Sequence, residues 1–403
     1  MREIRICEFC SIIRIIVIFF TVWVLSLLAG TAAICADALQ LETIGEIEEV
    51  FVWKRDKCGP NDIPDSPARA IRLSDGTIVF IAAHYTNRVS VGRSFQSLRR
   101  QCGTRSEGQS DPEPSKFDDR YWVQAIFPLP DDGVYALVSH EYMGRRHEGK
   151  CEIPQQGHYP TCWYSSILAA TAPAHTKRFD LLALDKRVVA ASASKYNPSR
   201  RERLGFLAVS NIVRHQGYLY TFIYSELLTQ RGNCLFRTPE DQPLGPWLAL
   251  SGGSFKQAFP SAYYDKSPAV RRCDIIGEGA FHGSIKSVVW LSGVRKWMAV
   301  TMRTVKAGPN RADQSGVFYS LSDDLMQWSP GKRLFTGMQP WGQNDCTIFY
   351  TYPSVIDHQS ASNIFDTVDT DDVYLYLTRF NYQNCVKGLN RDLVRLRIRL
   401  PRP

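Results

Sequence analysis

The sequence predicts an all-β chain folded as a five-bladed β-propeller. Three observations lead there: a strand–turn–strand unit that recurs five times, a third strand after each unit that often runs into an aromatic, and the lack of any long amphipathic helix. Short strands with turn signals between them describe a propeller, whose blades run roughly 40–50 residues. A β-sandwich or a pair of β-domains is the alternative, since both also show short strands and Gly-rich turns. The ordered recurrence of hairpin and capped strand favours the propeller.

The clearest units are Ala70–Ile81, turning at Asp75-Gly76, and Asn211–Phe222, turning at Gln216-Gly217. In each, the glycine step supplies the positive φ that a tight hairpin needs. Val123–Val138 turns around Asp132-Gly133, Ser287–Val300 around Ser292-Gly293, and Tyr352–Ile356 pairs with Val373–Thr378. Third strands are expected at Cys162–Ala170, Cys234–Thr238, Gly316–Leu321 and, closing the last copy, Asp392–Leu400; Val89–Leu98 fills that place less clearly in the first copy. Hairpins starting near Ala70, Val123, Asn211, Ser287 and Tyr352 leave large insertions in the second and third copies. Residues 104–119, rich in Ser, Glu, Asp and Pro, read as a loop.

Residues 1–38 read as a secretory leader ahead of a single domain over 39–403. Arg2 and Arg5 give a basic start, Ile15–Gly30 is apolar, and Ala36-Asp37-Ala38 is a small-residue cleavage pattern. An uncleaved membrane anchor is the alternative, because the apolar run approaches the ~17 residues that span a bilayer. Bulky Ile34 argues against acylation of Cys35. Of 11 cysteines, Cys58, Cys102, Cys151, Cys162, Cys234, Cys273, Cys346 and Cys385 lie beyond the leader. An even set scattered over an exported chain points to disulfides in an oxidising compartment, periplasmic or extracellular, with on the order of a hundred possible pairings. No C-x-x-C pair and no cysteine–histidine spacing of the ligand type occurs, which disfavours zinc. No cofactor is expected. The architecture allows a calcium ion in its channel, but no acidic loop demands one. The leader takes equal numbers of acidic and basic side chains with it, so the formal charge stays +8. That charge suits an anionic surface or substrate, but without a dense basic stripe it excludes nucleic acid as the natural partner.

Ser322-Asp323-Asp324-Leu325-Met326-Gln327-Trp328 resembles the S-x-D-L-x-x-W strand ending of five-bladed glycosidases such as glycoside hydrolase family 43 and its relatives. Asp62-Ile63-Pro64-Asp65-Ser66-Pro67 is similar to their first-blade opening, which holds the general-base Asp, and Tyr352-Pro353-Ser354 resembles a late-blade opening. The resemblance spans most of the chain through short motifs and implies a carbohydrate partner. Where that family opens its second and third blades with carboxylates, this chain has Tyr121-Trp122-Val123 and Ser210-Asn211-Ile212. Asn211 cannot donate a catalytic proton.

Side chains at blade openings converge on a propeller's channel mouth, and glycoside hydrolysis needs two carboxyl groups there. Asp65 is the first expected, with a turn aspartate beside proline as its ordinary role. Arg69 could hold an anionic sugar group or pair with Asp65. Glu141, within Ser139-His140-Glu141-Tyr142 at a strand end, is one candidate acid, its pKa raised if it is partly buried, or an edge glutamate in a loop with Arg145 and Arg146. Glu278, the other candidate acid, sits between two glycines that permit close backbone approach, or serves as a plain connector. His84, His140, His282, Asn211, Asp357 and Arg379 are further channel-mouth candidates, each more often a satisfied structural side chain. Trp163 is either a sugar-stacking platform or blade core. A non-catalytic propeller that binds a glycan or protein through its insertion loops is the competing function, and a scaffold without a site is a third. No G-x-S-x-G elbow, phosphate-cradling loop, H-E-x-x-H helix or dinucleotide fingerprint is present.

Overall fold

A computed structural model describes residues 39–103, 105–154, 161–175, 177–266, 269–304, 314–337, 348–382 and 388–400. The leader, Cys346 and Cys385 lie outside the described residues. Thr43–Arg399 form one compact unit; Met1–Glu42 with Leu400–Pro403 form a second, of which Leu39–Glu42 and Leu400 are described.

Among the described residues the regular structure is almost entirely strand, with helix limited to single turns such as Trp53–Asp56 and Leu184–Arg187. β1 (Glu42–Phe51) comes first. β2 (Arg69–Arg72), β3 (Ile78–Ile81), β4 (Ser90–Gly92) and β5 (Arg99–Arg100) form an antiparallel sheet in that order. A twelve-stranded sheet follows. It contains β6 (Arg120–Pro128), β7 (Val134–Met143) and β8 (Trp163–Ala172), with β9 (Asp180–Leu181) and β10 (Val188–Ala190) at the side. It continues through β11 (Leu204–Val209), β12 (Val213–His215), β13 (Tyr218–Leu227), β14 (Gln230–Pro239), β15 (Leu248–Ser251), β16 (Ser254–Gln257) and β17 (Ile275–Ile276). Its two antiparallel halves join through a short parallel contact, Leu204 and Gly205 of β11 opposite Tyr164 and Ser165 of β8. A Cβ at Gly205 would lie 1.9 Å from the Ser165 carbonyl, so only glycine permits that approach.

β18 (Ile285–Leu291), β19 (Lys296–Arg303), β20 (Gly316–Ser322) and β21 (Lys332–Thr336) make the next sheet. The last contains β22 (Phe349–Asp357), β24 (Val373–Phe380) and β25 (Arg391–Arg399), while the short β23 (Thr367–Val368) edges the sheet before it. β1 pairs with β25, so the first and last strands of the chain close one sheet. The result is a β-propeller, and β2, β6, β11, β18 and β22 lie against one another in turn, β22 returning to β2, as inner strands of such a fold do. Apolar side chains pack between neighbouring sheets: Phe80 and Phe95 of the first meet Phe365, Tyr374 and Tyr376 of the last.

One side chain ties the innermost strands together. Arg69 of β2 is 3% exposed. Its guanidinium donates to the carbonyls of Gln124 (2.6 Å, β6), Val209 (3.4 Å, β11), Lys286 (2.7 Å, β18) and Ala68 (3.1 Å), and to Ser354 Oγ (3.2 Å, β22). β6, β11, β18 and β22 each break their regular register beside this hub, at Gln124, Leu207, Lys286 and Tyr352-Pro353. Such bulges redirect backbone groups out of the ladder, which frees carbonyls to point inward. Neighbouring sheets are also laced in sequence. Asn87 accepts from Val123 N (2.7 Å), Gln124 from Val209 N (2.9 Å), Asn211 from Val288 N (2.7 Å) and Ser287 Oγ from Val355 N (3.2 Å), while Ser354 Oγ donates to Ala68 O (2.6 Å).

The expected hairpins are present, with shifts of detail. The third copy's innermost strand is Leu204–Val209, upstream of the expected start at Asn211, because the Gln216-Gly217 turn joins β13 to the short β12. At the second and fourth hairpins Asp132 (φ +59°) and Arg295 (φ +53°) take the left-handed conformation, rather than the glycines expected to do so. In the Ser322–Trp328 element, Asp324 Oδ1 accepts from the Met326 and Gln327 amides, and Trp328 packs on Phe222 and Phe281. The motif is therefore a strand-end turn that anchors an inter-sheet aromatic.

Three disulfides are formed among the described cysteines: Cys58–Cys102, Cys151–Cys162 and Cys234–Cys273. The first closes a 44-residue separation. The paired replacement Cys58→Ser/Cys102→Ser is expected to lower unfolding free energy by about 3–4 kcal/mol through denatured-state entropy. Urea unfolding measures this; an unchanged midpoint would contradict it. Among the described residues no helix is long and apolar enough to cross a membrane.

Candidate functional site

Starts of first and third strands, and ends of second strands, lie at one end of a propeller's channel. Asp65 precedes β2, His84 follows β3, Arg120 opens β6, Glu141 nears the end of β7 and Trp163 opens β8. Arg203 precedes β11, Lys286 and Tyr352 lie early in β18 and β22, and Arg391 opens β25. They form a polar basin above the Arg69 hub. All are partly exposed except Arg391, which is 8% exposed.

Asp65 is held between Pro64 and Pro67, and Ser66 Oγ, accepting from the Ala83 amide (3.1 Å), fixes its loop to the end of β3. Its carboxylate pairs with Arg391 and lies 3.6 Å from His84 Nε2. Burial lowers the His84 pKa, against the opposing pull of Asp65, so the ring is neutral at pH 7. Its Nδ1 faces the Asn61 carbonyl at 3.3 Å, which assigns the proton to that nitrogen. Asp62, beside Asp65 in sequence, is instead a buried anchor paired with Arg100 and accepting from the Cys58 amide.

Tyr352 sits in the β22 bulge at φ +55°, an uncommon conformation for an aromatic residue that costs on the order of 1 kcal/mol. Its hydroxyl lies near the Asp65 carboxylate. Burial first, then the charges of Asp65 and Glu141, push its pKa well above the usual 10, so it stays a neutral donor.

Glu141 is directly opposite Arg120 across the β6–β7 ladder. No described residue hydrogen-bonds its carboxyl. Desolvation dominates: it lifts the carboxyl to about 7, with Asp65 and Asp119 adding to the rise and Arg203 and Arg120 opposing it. A group poised near neutrality can be protonated at rest and give that proton up.

Cations and aromatics complete the lining. The Arg120 guanidinium lies over Tyr85 (5.2 Å) and Trp122 (5.5 Å), Arg203 over Trp163 (4.8 Å), and Lys286 Nζ over the Tyr352 ring (5.8 Å). Arg203 also pairs with Glu226 at 2.8 Å.

Of the residues singled out from sequence, Asp65, His84, Glu141 and Trp163 meet in this basin. The others have different surroundings. Arg69 is buried at the channel's centre, its donors engaged by backbone carbonyls and Ser354 Oγ rather than open to a sugar. His140 faces away from Glu141, as alternation along a strand requires. It is fully buried, accepts from the Asp119 amide (3.3 Å), and is driven down to about 3 by desolvation. Asn211 bridges to both backbone groups of Val288. Asp357, at the far end of β22, accepts from the amides of Gln359, Asp369 and Thr370. Arg379 pairs with Asp392 and Glu49. Glu278 and His282 are exposed in the connector before β18, where Gly277 and Gly279 shape the turn. Among the described residues no cluster of His, Cys, Asp or Glu could hold a metal ion.

No protein-family model matches the chain, and no curated protein matches it. Solved structures do. An α-L-arabinanase from Cellvibrio cellulosa is 13% identical, with a TM-score of 0.44 over 84% of this chain and 92% of its own. The catalytic domain of a family GH62 α-L-arabinofuranosidase from Coprinopsis cinerea is 9% identical, with a TM-score of 0.44 over 91% and 99%. A GH32 β-fructofuranosidase from Bombyx mori is 11% identical, with a TM-score of 0.45 over 85% and 65%. These neighbours are glycoside hydrolases, similar to this chain at low identity.

Proposed function

We propose that the protein is an exported, five-bladed propeller that hydrolyses a glycan at the channel mouth, Glu141 acting as general acid and Asp65 as the partner carboxylate. Support for five blades comes from the Arg69 hub, whose bonds run to innermost strands on every side. Export, with residues 1–38 as leader and 39–403 as the domain, is supported by the disulfides, which persist in oxidising compartments.

The observation that carries the activity is the unpartnered Glu141 carboxyl beside Asp65, raised to about 7 chiefly by burial. Protonated at neutral pH, Glu141 would donate to the glycosidic oxygen as the bond to the anomeric carbon breaks. Asp65 would stabilise the positive charge that develops there and take the proton of the attacking water. Arg391 and Tyr352 hold Asp65 in place, and Trp163, Tyr85 and Trp122 offer faces for the sugar rings.

A glycan panel with product analysis tests this, using the mature protein and the Asp65→Asn variant. Product is expected from the wild type, and a loss of at least about 100-fold in Asp65→Asn with binding retained. The pH profile should fall as pH rises through about 7, where Glu141 loses its proton. The pairing of Asp65 with Arg391 favours a second reading, a glycan-binding propeller without turnover. Binding without product from the wild type would select it.

A further inference from the structure

The basin holds more positive charge than its carboxylates neutralise. Arg391 is matched by Asp65, and Arg203 by Glu226. Lys286 and Arg120 have no carboxylate within ion-pairing distance among the described residues. The Lys286 ammonium makes no hydrogen bond to any of them, and Arg120 Nε is buried without a partner. Among the described residues the Arg120 guanidinium donates only to Met143 Sδ (2.9 Å), besides lying over the Tyr85 and Trp122 rings.

Lys286 is also crowded by other cations, and Arg120 and Arg203 both act on Glu141. Lys286 is pulled down to about 8 by burial first and then by the Arg69 and Arg203 guanidiniums. Like charges gathered in a partly desolvated pocket repel, and an anion entering the pocket relieves that repulsion. The position is fixed by the backbone: the Lys286 carbonyl is bound to Arg69 at the β18 bulge while its ammonium sits over Tyr352, whose hydroxyl lies near Asp65.

We propose that Lys286, Arg203 and Arg120 form an oxyanion site, and that the substrate class is an acidic glycan carrying uronate carboxylates or sulfate esters. The inference rests on the glycan-site reading of the basin and names its substrate. A neutral sugar would leave the two unpaired cations uncompensated, so discrimination against it should be large.

The test is calorimetric titration of the mature protein with a trigalacturonate, a chondroitin sulfate tetrasaccharide, and the carboxyl-reduced and desulfated forms of each. At least one acidic ligand should bind tenfold or more tighter than its neutral form, and the tighter pair identifies carboxylate or sulfate as the group recognised. In Lys286→Gln the acidic-to-neutral ratio should fall about tenfold, with melting temperature kept because that ammonium has no hydrogen bond or ion pair to lose and only a long contact with the Tyr352 ring. Equal binding of acidic and neutral forms, a ratio unmoved by Lys286→Gln, or no binding of any of them overturns the proposal. Acidic glycan bound but not cleaved leaves the oxyanion site standing and removes the hydrolase reading. Cleavage of neutral glycans with no acidic preference does the reverse.

Discussion

Arg69→Met is expected to destabilise the protein by about 5 kcal/mol, a large part of the 5–15 kcal/mol that holds an ordinary domain together. The methionine fills most of the space but donates nothing. Carbonyls of Gln124, Val209, Lys286 and Ala68 would lose a donor at once, at about 1–3 kcal/mol for each buried group left unsatisfied, with part regained because a desolvated charge is removed. Arg69→Lys should recover only a fraction, since an ammonium has three donors and no planar fork. Thermal melting reads both: a drop on the order of 10 °C for Met, a smaller one for Lys. A melting temperature within a degree of wild type for Arg69→Met would show that the innermost strands hold together without the hub.

Glu141→Gln should abolish turnover by about 10²–10⁴-fold at pH 6 while leaving glycan binding, because the amide keeps the shape and loses the transferable proton. A second signature separates this role from a structural one. The folded protein raises the Glu141 carboxyl from 4.5 to about 7, so it binds that proton more tightly than the unfolded chain does. Stability is therefore full below about pH 4.5 and falls as pH rises through 7, where the charge must be buried. Above pH 7 the variant should be more stable than wild type, by on the order of 2 kcal/mol; at pH 4 the two should match. Equal stabilities at pH 8 would mean the carboxyl is well solvated, and the acid assignment would fall with it.

What the sequence disclosed followed from the strength of its local signals. The hairpins at Ala70–Ile81 and Val123–Val138 were legible because alternating apolar residues flank a turn step. β1 was not: Glu42–Phe51 is an outer strand with acidic, exposed positions along most of its length, so it lacks the apolar alternation that marks a strand. Leu204–Val209 is hard to see in the sequence because its bulge breaks the alternation and a strong turn signal follows downstream. Asp65 and Glu141 stood out as carboxylates at strand ends. Arg120, Arg203, Lys286 and Arg391 did not, since a basic residue at a strand start looks like any surface cation until the chain closes on itself. Tyr352-Pro353 was visible as a blade opening, yet only the left-handed backbone of Tyr352 marks it as part of the site. Arg69 drew notice beside Asp65, but nothing local distinguishes a guanidinium that meets a ligand from one that bonds backbone carbonyls far apart in sequence.

The most direct test is a crystal structure of Glu141→Gln soaked with the tightest-binding oligosaccharide. The sugar should lie in the basin, a glycosidic oxygen within about 3 Å of the side chain at position 141 and the anomeric carbon facing Asp65. A sugar bound elsewhere, or one in the basin with no glycosidic oxygen near position 141, would contradict the account.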